Sequence, residues 1–391
     1  MSAAQTLAPA ALDSAKPPSE RLLSLDIYRG LAVAGMILVD NPGSDGLAYG
    51  PIKHADWNGW TCADFIFPSF LFLVGISMVY SFAARLRRGE SRKEILWHAL
   101  KRSLILIAIG LFVNASPIIG LDLHTWRFEG VTQRIALCYF AAAILVLWSN
   151  RRGAFIAMCA CLIGYWALLR FAPVPGFGVP GRDIPFMDPD RNLAAWLDRK
   201  LFMGHLFDKP RDPEGLLGTI PATATTLIGV LTGYWLRSET NPGTKALRML
   251  YVGIFGLLAG EVWNLWFPIN KNLWTSSFVL FSGGFALVFL ALLYWMLEMR
   301  KWCGAWTMPI LVFEMNAIAG FVADSFVYGP GYSFTVKGAN GPVAWHDAAQ
   351  AKLVSLGASA ANASLIYSLG AVLFCWILLW FLWRKRIFLK V

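Results

Sequence analysis

Ten stretches of about twenty mainly apolar residues recur along the chain, and that recurrence decides its architecture. They run at approximately 22–41, 61–82, 99–119, 131–149, 154–172, 216–236, 246–265, 274–297, 307–327 and 361–383. A hydrocarbon core about 30 Å thick is crossed by a helix of roughly this length, because in lipid a helix satisfies its own backbone donors and acceptors. The expectation is an all-α integral membrane protein with about ten transmembrane helices, forming one polytopic domain over residues 21–391. Only 15% of the residues are charged, against 57% hydrophobic, which excludes an ordinary soluble fold.

The net charge of +10 reads as an orientation signal rather than a nucleic-acid surface. Lys and Arg gather in alternate short loops: Arg85, Arg87, Arg88, Arg92, Lys93, Lys101 and Arg102, then Arg151 and Arg152, then Arg237, Lys245 and Arg248, then Arg300 and Lys301, and finally Arg384, Lys385 and Arg386. With an even number of spans, these fall on one side if both termini are cytosolic. The turn Ser149–Gly153 predicts a helical hairpin, and the Pro- and Gly-rich stretches 173–215 and 328–360 are expected as outer loops. Residues 1–20 lack the apolar core of a secretory signal and are expected to form a disordered cytosolic tail. The six cysteines have neither disulfide nor metal-site spacing, and no metal is expected.

Polar residues cluster at the outer ends of the predicted spans. Asn41 closes the first, Gln133 and Arg134 open the fourth, Glu261 closes the seventh, and Lys271 and Asn272 precede the eighth. Such residues usually face a bundle interior or a water-filled cavity, so they are candidates for substrate binding. Arg134 needs a partner, either a carboxylate in that cavity or Glu261. Lys271 and Asn272 could bind sugar hydroxyls or anchor the helix at the interface. On the other side, Asp26, Arg29, Glu314 and Asn316 form a smaller polar set; Asp26 and Arg29 are spaced for a helical i, i+3 pair.

The stretch Ile52–Pro68 carries His54, Asp56, Trp57, Asn58 and Asp64 into the second span. An imidazole changes charge near neutral pH, so His54 is the first candidate for proton transfer. Asp56 and Asp64 compete to orient it; with a helix starting near Thr61, Asp64 lies in the first turn and can also cap backbone N–H groups. Asn41 and Asn58 have amide hydrogens suited to a developing oxyanion, although Asn58 before Gly59 also suits a turn. Trp57, Trp60 and Trp274 could stack on a sugar ring or belong to the aromatic belt.

The chain resembles a known family at several ordered blocks. LDIYRG (25–30) is similar to the opening of multi-pass membrane acyltransferases, and KHADWNGWTCADFIFP (53–68) resembles the active-site region of the heparan-α-glucosaminide N-acetyltransferase family and its bacterial relatives. The resemblance continues through EGVTQRIALCY (129–139), DPEGLLGTIPATATTLIGV (212–230), INKNLWTSSFVLFSGG (269–284) and FEMNAIAG (313–320). It implies transfer of an acetyl group from cytosolic acetyl-CoA to a small amino-sugar acceptor on the far side of a bacterial inner membrane. Family membership implies that His54 is the catalytic residue and Asn41 its helper, and membrane relatives suggest a homodimer. His54 then acts either as general base or as an acetyl carrier, with direct transfer the simpler route. CoA carries several phosphate charges, so its nucleotide is expected at the cytosolic face, with Arg29, Asp26 and Asn316 as the candidate cofactor-binding set. O-acylation of a periplasmic glycan and a proton-coupled amino-sugar permease are the competing functions. The permease is disfavoured because no broken-helix pair is legible.

Overall fold

A computed structural model describes residues 22–42, 48–116, 122–238, 240–338 and 341–389. The expected tail over 1–20 and the end of the third predicted span, 117–119, lie outside the described residues. The helices are α1 (Leu23–Asp40), α2 (Ile66–Arg87), α3 (Arg92–Asn114), α4 (Val131–Trp148), α5 (Arg151–Phe171), α6 (Leu193–Phe202), α7 (Thr219–Leu236), α8 (Pro242–Asn264), α9 (Ser276–Tyr294), α10 (Thr307–Met315), α11 (Ala317–Ser333), α12 (Trp345–Ser355) and α13 (Ala360–Arg384). Among the described residues, eight are long and apolar enough to cross a membrane, namely α2 to α5, α7 to α9 and α13. The bent pair α10 and α11 makes a ninth. The chain is an all-α integral membrane protein.

The first predicted span is also helical, although Asp26, Arg29 and Asp40 load its 18 residues with charge. It is sheltered inside the bundle, where it packs against α10, α2, α11, α13 and α9. Burial separates an inner from an outer layer. In the apolar windows of α2 and α9, 72% is buried, whereas α8 and α13 bury 22% and present the rest to lipid. Where two central helices touch, small residues let the backbones meet. A side chain at Gly75 of α2 would overlap the carbonyl of Thr226 in α7, and one at Gly229 would overlap that of Phe72.

Helix ends follow local chemistry. Ser91 and Glu94 cap α3 reciprocally, with Glu94 N donating to Ser91 Oγ at 3.3 Å and Ser91 N to Glu94 Oε2 at 2.7 Å. Asn150 caps α5 by accepting from Gly153 N at 3.0 Å, so the predicted α4–α5 hairpin turns on Ser149 and Asn150.

Two expectations need correction. The ninth span is not continuous: α10 and α11 meet at Asn316 with an 86° bend, so a broken helix is present that the sequence pattern did not reveal. The C-terminal tail returns to this break. Asn316 Nδ2 donates to the Ile387 carbonyl at 3.1 Å, and its Oδ1 accepts from Leu389 N at 2.9 Å. The two long connections expected as outer loops also carry structure of their own: α6 lies within 173–215, while 328–360 contains the end of α11, a hairpin of β1 (Thr335–Gly338) with β2 (Gly341–Ala344), and α12.

Candidate active site

The segment from Lys53 to Phe65, leading into α2, is shaped by a glycine and a cap. Gly59 has φ of +103°, a left-handed conformation that glycine adopts without strain, and its N–H donates to the Ile269 carbonyl at 2.8 Å. This joins the His54 loop to the turn before α9. Asn270 adds a second tie by donating from Nδ2 to Asn58 Oδ1 at 3.2 Å. Asn270 is fully buried and also closes its own turn: its Oδ1 accepts from Leu273 N and its N donates to Thr275 Oγ1. Trp274 ends that turn with φ of +53°, which is uncommon for a residue with a Cβ.

Asp64 is completely buried and uses both oxygens. Oδ2 accepts from Thr61 N at 2.9 Å and Ala55 N at 3.2 Å, while Thr61 Oγ1 donates to the Lys53 carbonyl at 2.6 Å. Oδ1 lies 2.8 Å from Nδ1 of His54, whose side chain is 41% exposed. A carboxylate at that distance holds the proton on Nδ1 and leaves the Nε2 lone pair available as a base. Lys271 Nζ lies 3.0 Å from Nδ1, 3.2 Å from Nε2 and 3.5 Å from Asp64 Oδ1. Asp40, at the end of α1, interacts electrostatically with both His54 and Lys271. An imidazole, its orienting carboxylate and an ammonium thus meet at one exposed mouth.

The other predicted residues divide clearly. Asp56 is exposed, with no side-chain hydrogen bond or ion pair among the described residues, so Asp64 is the carboxylate that orients His54. Asn41 is buried, and both its amide hydrogens are committed, to Ile37 O at 2.9 Å and Asp324 Oδ1 at 2.6 Å. Trp57 donates to the Met187 carbonyl at 3.1 Å, with the Arg211 guanidinium over its ring. Asn272 and Trp57 line one small cavity together with Asp198, Arg211 and Asp212. Trp60 donates to Glu261 at 3.3 Å, and Asn264 holds that same carboxylate. Trp274 is buried beneath Arg134 and donates to Thr225, which removes it from the sugar-stacking candidates.

Gln133 turns inward, accepting from Thr132 Oγ1 and donating to the Phe128 carbonyl. Arg134 does not pair with Glu261. It is 1% exposed, donates from Nη2 to the Gly215 carbonyl at 2.8 Å, and has no partner for Nε or Nη1 among the described residues. The acid that meets its charge is one that sequence reasoning missed, Glu214, within a buried group that also contains Asp198 and Glu129. Arg127 binds Asp212 through Nε at 2.8 Å and also binds Glu214. Burial, then the carboxylates of Asp198 and Asp212, push Glu129 up to about 9, against the pull of Arg134 and Arg127. Burial likewise raises Asp198 to about 7, although its bond from Leu216 N pulls the other way. Glu214 is also buried, which alone would raise it, but Arg127, Arg134 and Lys271 hold it below the usual carboxylate range.

The candidate cofactor set sits at the other end of α1. Arg29 bonds Glu314 and donates to Ser77 Oγ at 3.1 Å, with Asp26 at 3.6 Å as the expected i, i+3 partner. Asn316 is engaged by the C-terminal tail as described above. A phosphate reaching Arg29 would therefore have to compete with carboxylates already in place. Among the described residues, no cluster of three His, Cys, Asp or Glu side chains is arranged to hold a metal.

Residues 21–260 match the family model for the catalytic region of heparan-alpha-glucosaminide N-acetyltransferase. The chain is 32% identical over 361 residues to the heparan-alpha-glucosaminide N-acetyltransferase of Homo sapiens, covering 79% of this chain and 53% of that protein. It is 31% identical over 362 residues to the Mus musculus protein of the same name, covering 79% and 54%. The chain thus spans about half the length of these curated relatives. The match takes in Asn41, the His54–Asp64 pair and the acid–guanidinium cluster, and stops short of Lys271. By the extent of that match and the identity to both relatives, the chain belongs to the heparan-alpha-glucosaminide N-acetyltransferase family.

Proposed function

We propose that this protein transfers an acetyl group from acetyl-CoA to the amine of a small glucosamine-type sugar, with His54 as general base. The observation that carries the reading is the His54–Asp64 contact at 2.8 Å, at an exposed mouth, in a chain of this family. His54 Nε2 takes a proton from the sugar ammonium, the freed nitrogen attacks the thioester carbon, and the carbon–sulfur bond breaks. The departing thiolate recovers a proton from the imidazolium, and one proton is released overall. The exposure of the His54 ring favours direct transfer, since an acetyl-imidazole there would meet water. The site end faces the periplasm of a bacterial inner membrane, and acetyl-CoA enters from the cytosolic end. The basic loops at Arg85–Arg102 and Arg151–Arg152 support this orientation.

The broken helix at Asn316 is the one feature that favours a permease. The side chain of Asn316 at the break is bonded to Ile387 and Leu389, so it is engaged within the chain rather than offered to a transported ligand. Purified protein given acetyl-CoA and glucosamine should release free CoA and form N-acetylglucosamine, and His54→Ala should abolish both. CoA release only with neutral sugars would replace this reading with O-acylation; vesicle uptake without acetylation would replace it with transport.

A further inference from the structure

We infer that Lys271 is a catalytic residue whose ammonium stabilises the oxyanion formed when the acceptor amine attacks the thioester. The inference rests on the acetyl-transfer reading above and deepens it. Acyl transfer develops negative charge on the carbonyl oxygen, and a preorganised donor about 3 Å from that oxygen is a large source of rate enhancement. Asn41, the family-implied helper, cannot supply one without giving up Ile37 or Asp324. Among the described residues, Lys271 is the cation within hydrogen-bond reach of the His54 ring.

Its position suits the task. The amine attacks from beside Nε2, and the carbonyl oxygen lies one bond beyond the carbon under attack. A cation 3.2 Å from Nε2 is therefore within reach of that oxygen. The distances to the two ring nitrogens are nearly equal. With Nδ1–H directed to Asp64, the ammonium is not committed to one strong bond with the ring and keeps donors for the oxyanion. Asp64 on the turn before α2, Asp40 on α1 and Glu214 before α7 hold it by charge. The turn carrying Lys271 is fixed from below by buried Asn270 and from above by the Gly59 N–H bond to Ile269.

The test is steady-state kinetics of the purified full chain in detergent or nanodiscs, with acetyl-CoA and glucosamine. Lys271→Met is expected to lower kcat by about 10²–10³-fold, the usual loss for one oxyanion donor, with the glucosamine KM within about threefold of the parent. Lys271→Arg should recover part of the rate, a rescue by charge that a purely structural role would not produce. Where Lys271→Met does not fold, Lys271→Gln takes its place with the same expectation. A parent-like kcat with a raised glucosamine KM would overturn the inference and make Lys271 a sugar-binding residue. A parent protein that forms no N-acetylated product overturns the functional reading and this inference with it, and that failure shows in the parent before any variant is compared.

Discussion

Replacing Asp64 with Asn tests whether this carboxylate sets the state of the base or merely caps the turn Cys62–Phe65 that leads into α2. The buried side chain receives two backbone donors on Oδ2, from Thr61 N and Ala55 N, and one on Oδ1, from His54. Asn has a single acceptor oxygen, so one side must lose. Turning the amide nitrogen toward Thr61 and Ala55 would strand backbone donors at about 1–3 kcal/mol each. Turning it toward His54 costs less, so the oxygen stays on the cap and the NH₂ group faces Nδ1. That forces Nδ1 to accept, moves the ring proton to Nε2 and removes the basic lone pair. A carboxylate-to-amide swap behind a catalytic imidazole costs on the order of 10⁴ in kcat in the best-known serine protease case. We expect about 10³–10⁴ here, or roughly 4–5.5 kcal/mol of transition-state stabilisation at 1.36 kcal/mol per decade. The melting temperature should stay close to that of the parent, because the cap survives. Free-thiol release from acetyl-CoA reports the rate, and differential scanning fluorimetry the fold. A variant with a parent-like rate and a lowered melting temperature would show that Asp64 caps the helix and does nothing to the base.

Glu129 makes stability depend on pH. Its folded pKa of about 9 exceeds the ordinary 4.5, so the folded state keeps a proton that the unfolded chain gives up. Its contribution is therefore fully present below 4.5 and is lost as pH rises through about 9. Melting curves over this range should decline more steeply for the parent than for Glu129→Gln, and parallel curves would refute the assignment. Gly75→Ala should destabilise the α2–α7 contact by about 1–3 kcal/mol, because its new methyl group meets the Thr226 backbone. An unchanged melting temperature would mean that the two helices can part without loss.

The spans were legible because lipid permits few alternatives: a run of about twenty apolar residues has to satisfy its backbone internally. His54 and Asp64 were also legible, as a titratable residue before a helix start and an acid in its first turn. What escaped the sequence depends on partners distant along the chain. Lys271 stands 217 positions from His54, and nothing local distinguishes it from an interfacial anchor. Arg134 had a visible acid at Glu261, yet the carboxylate that meets its charge is Glu214, with Asp198 close by, both carried by the connection between α5 and α7. Asp324 could have been noticed as an acid within an apolar span, but its pairing with Asn41 joins positions 283 apart. The bend at Asn316 was hidden for the same reason, since the groups that accommodate it belong to the last residues of the chain.

Those last residues have a practical meaning for anyone handling the protein. Asn316 is the hub on which α11 turns, and Asp324 lies eight positions further along, about 12 Å of helix at 1.5 Å per residue. Asp324 in turn grips Asn41, next to Asp40, which senses His54 and Lys271. An affinity tag, a truncation or a crosslink that pulls at Ile387–Leu389 therefore tugs on one end of a stiff lever whose other end rests beside the candidate site at His54.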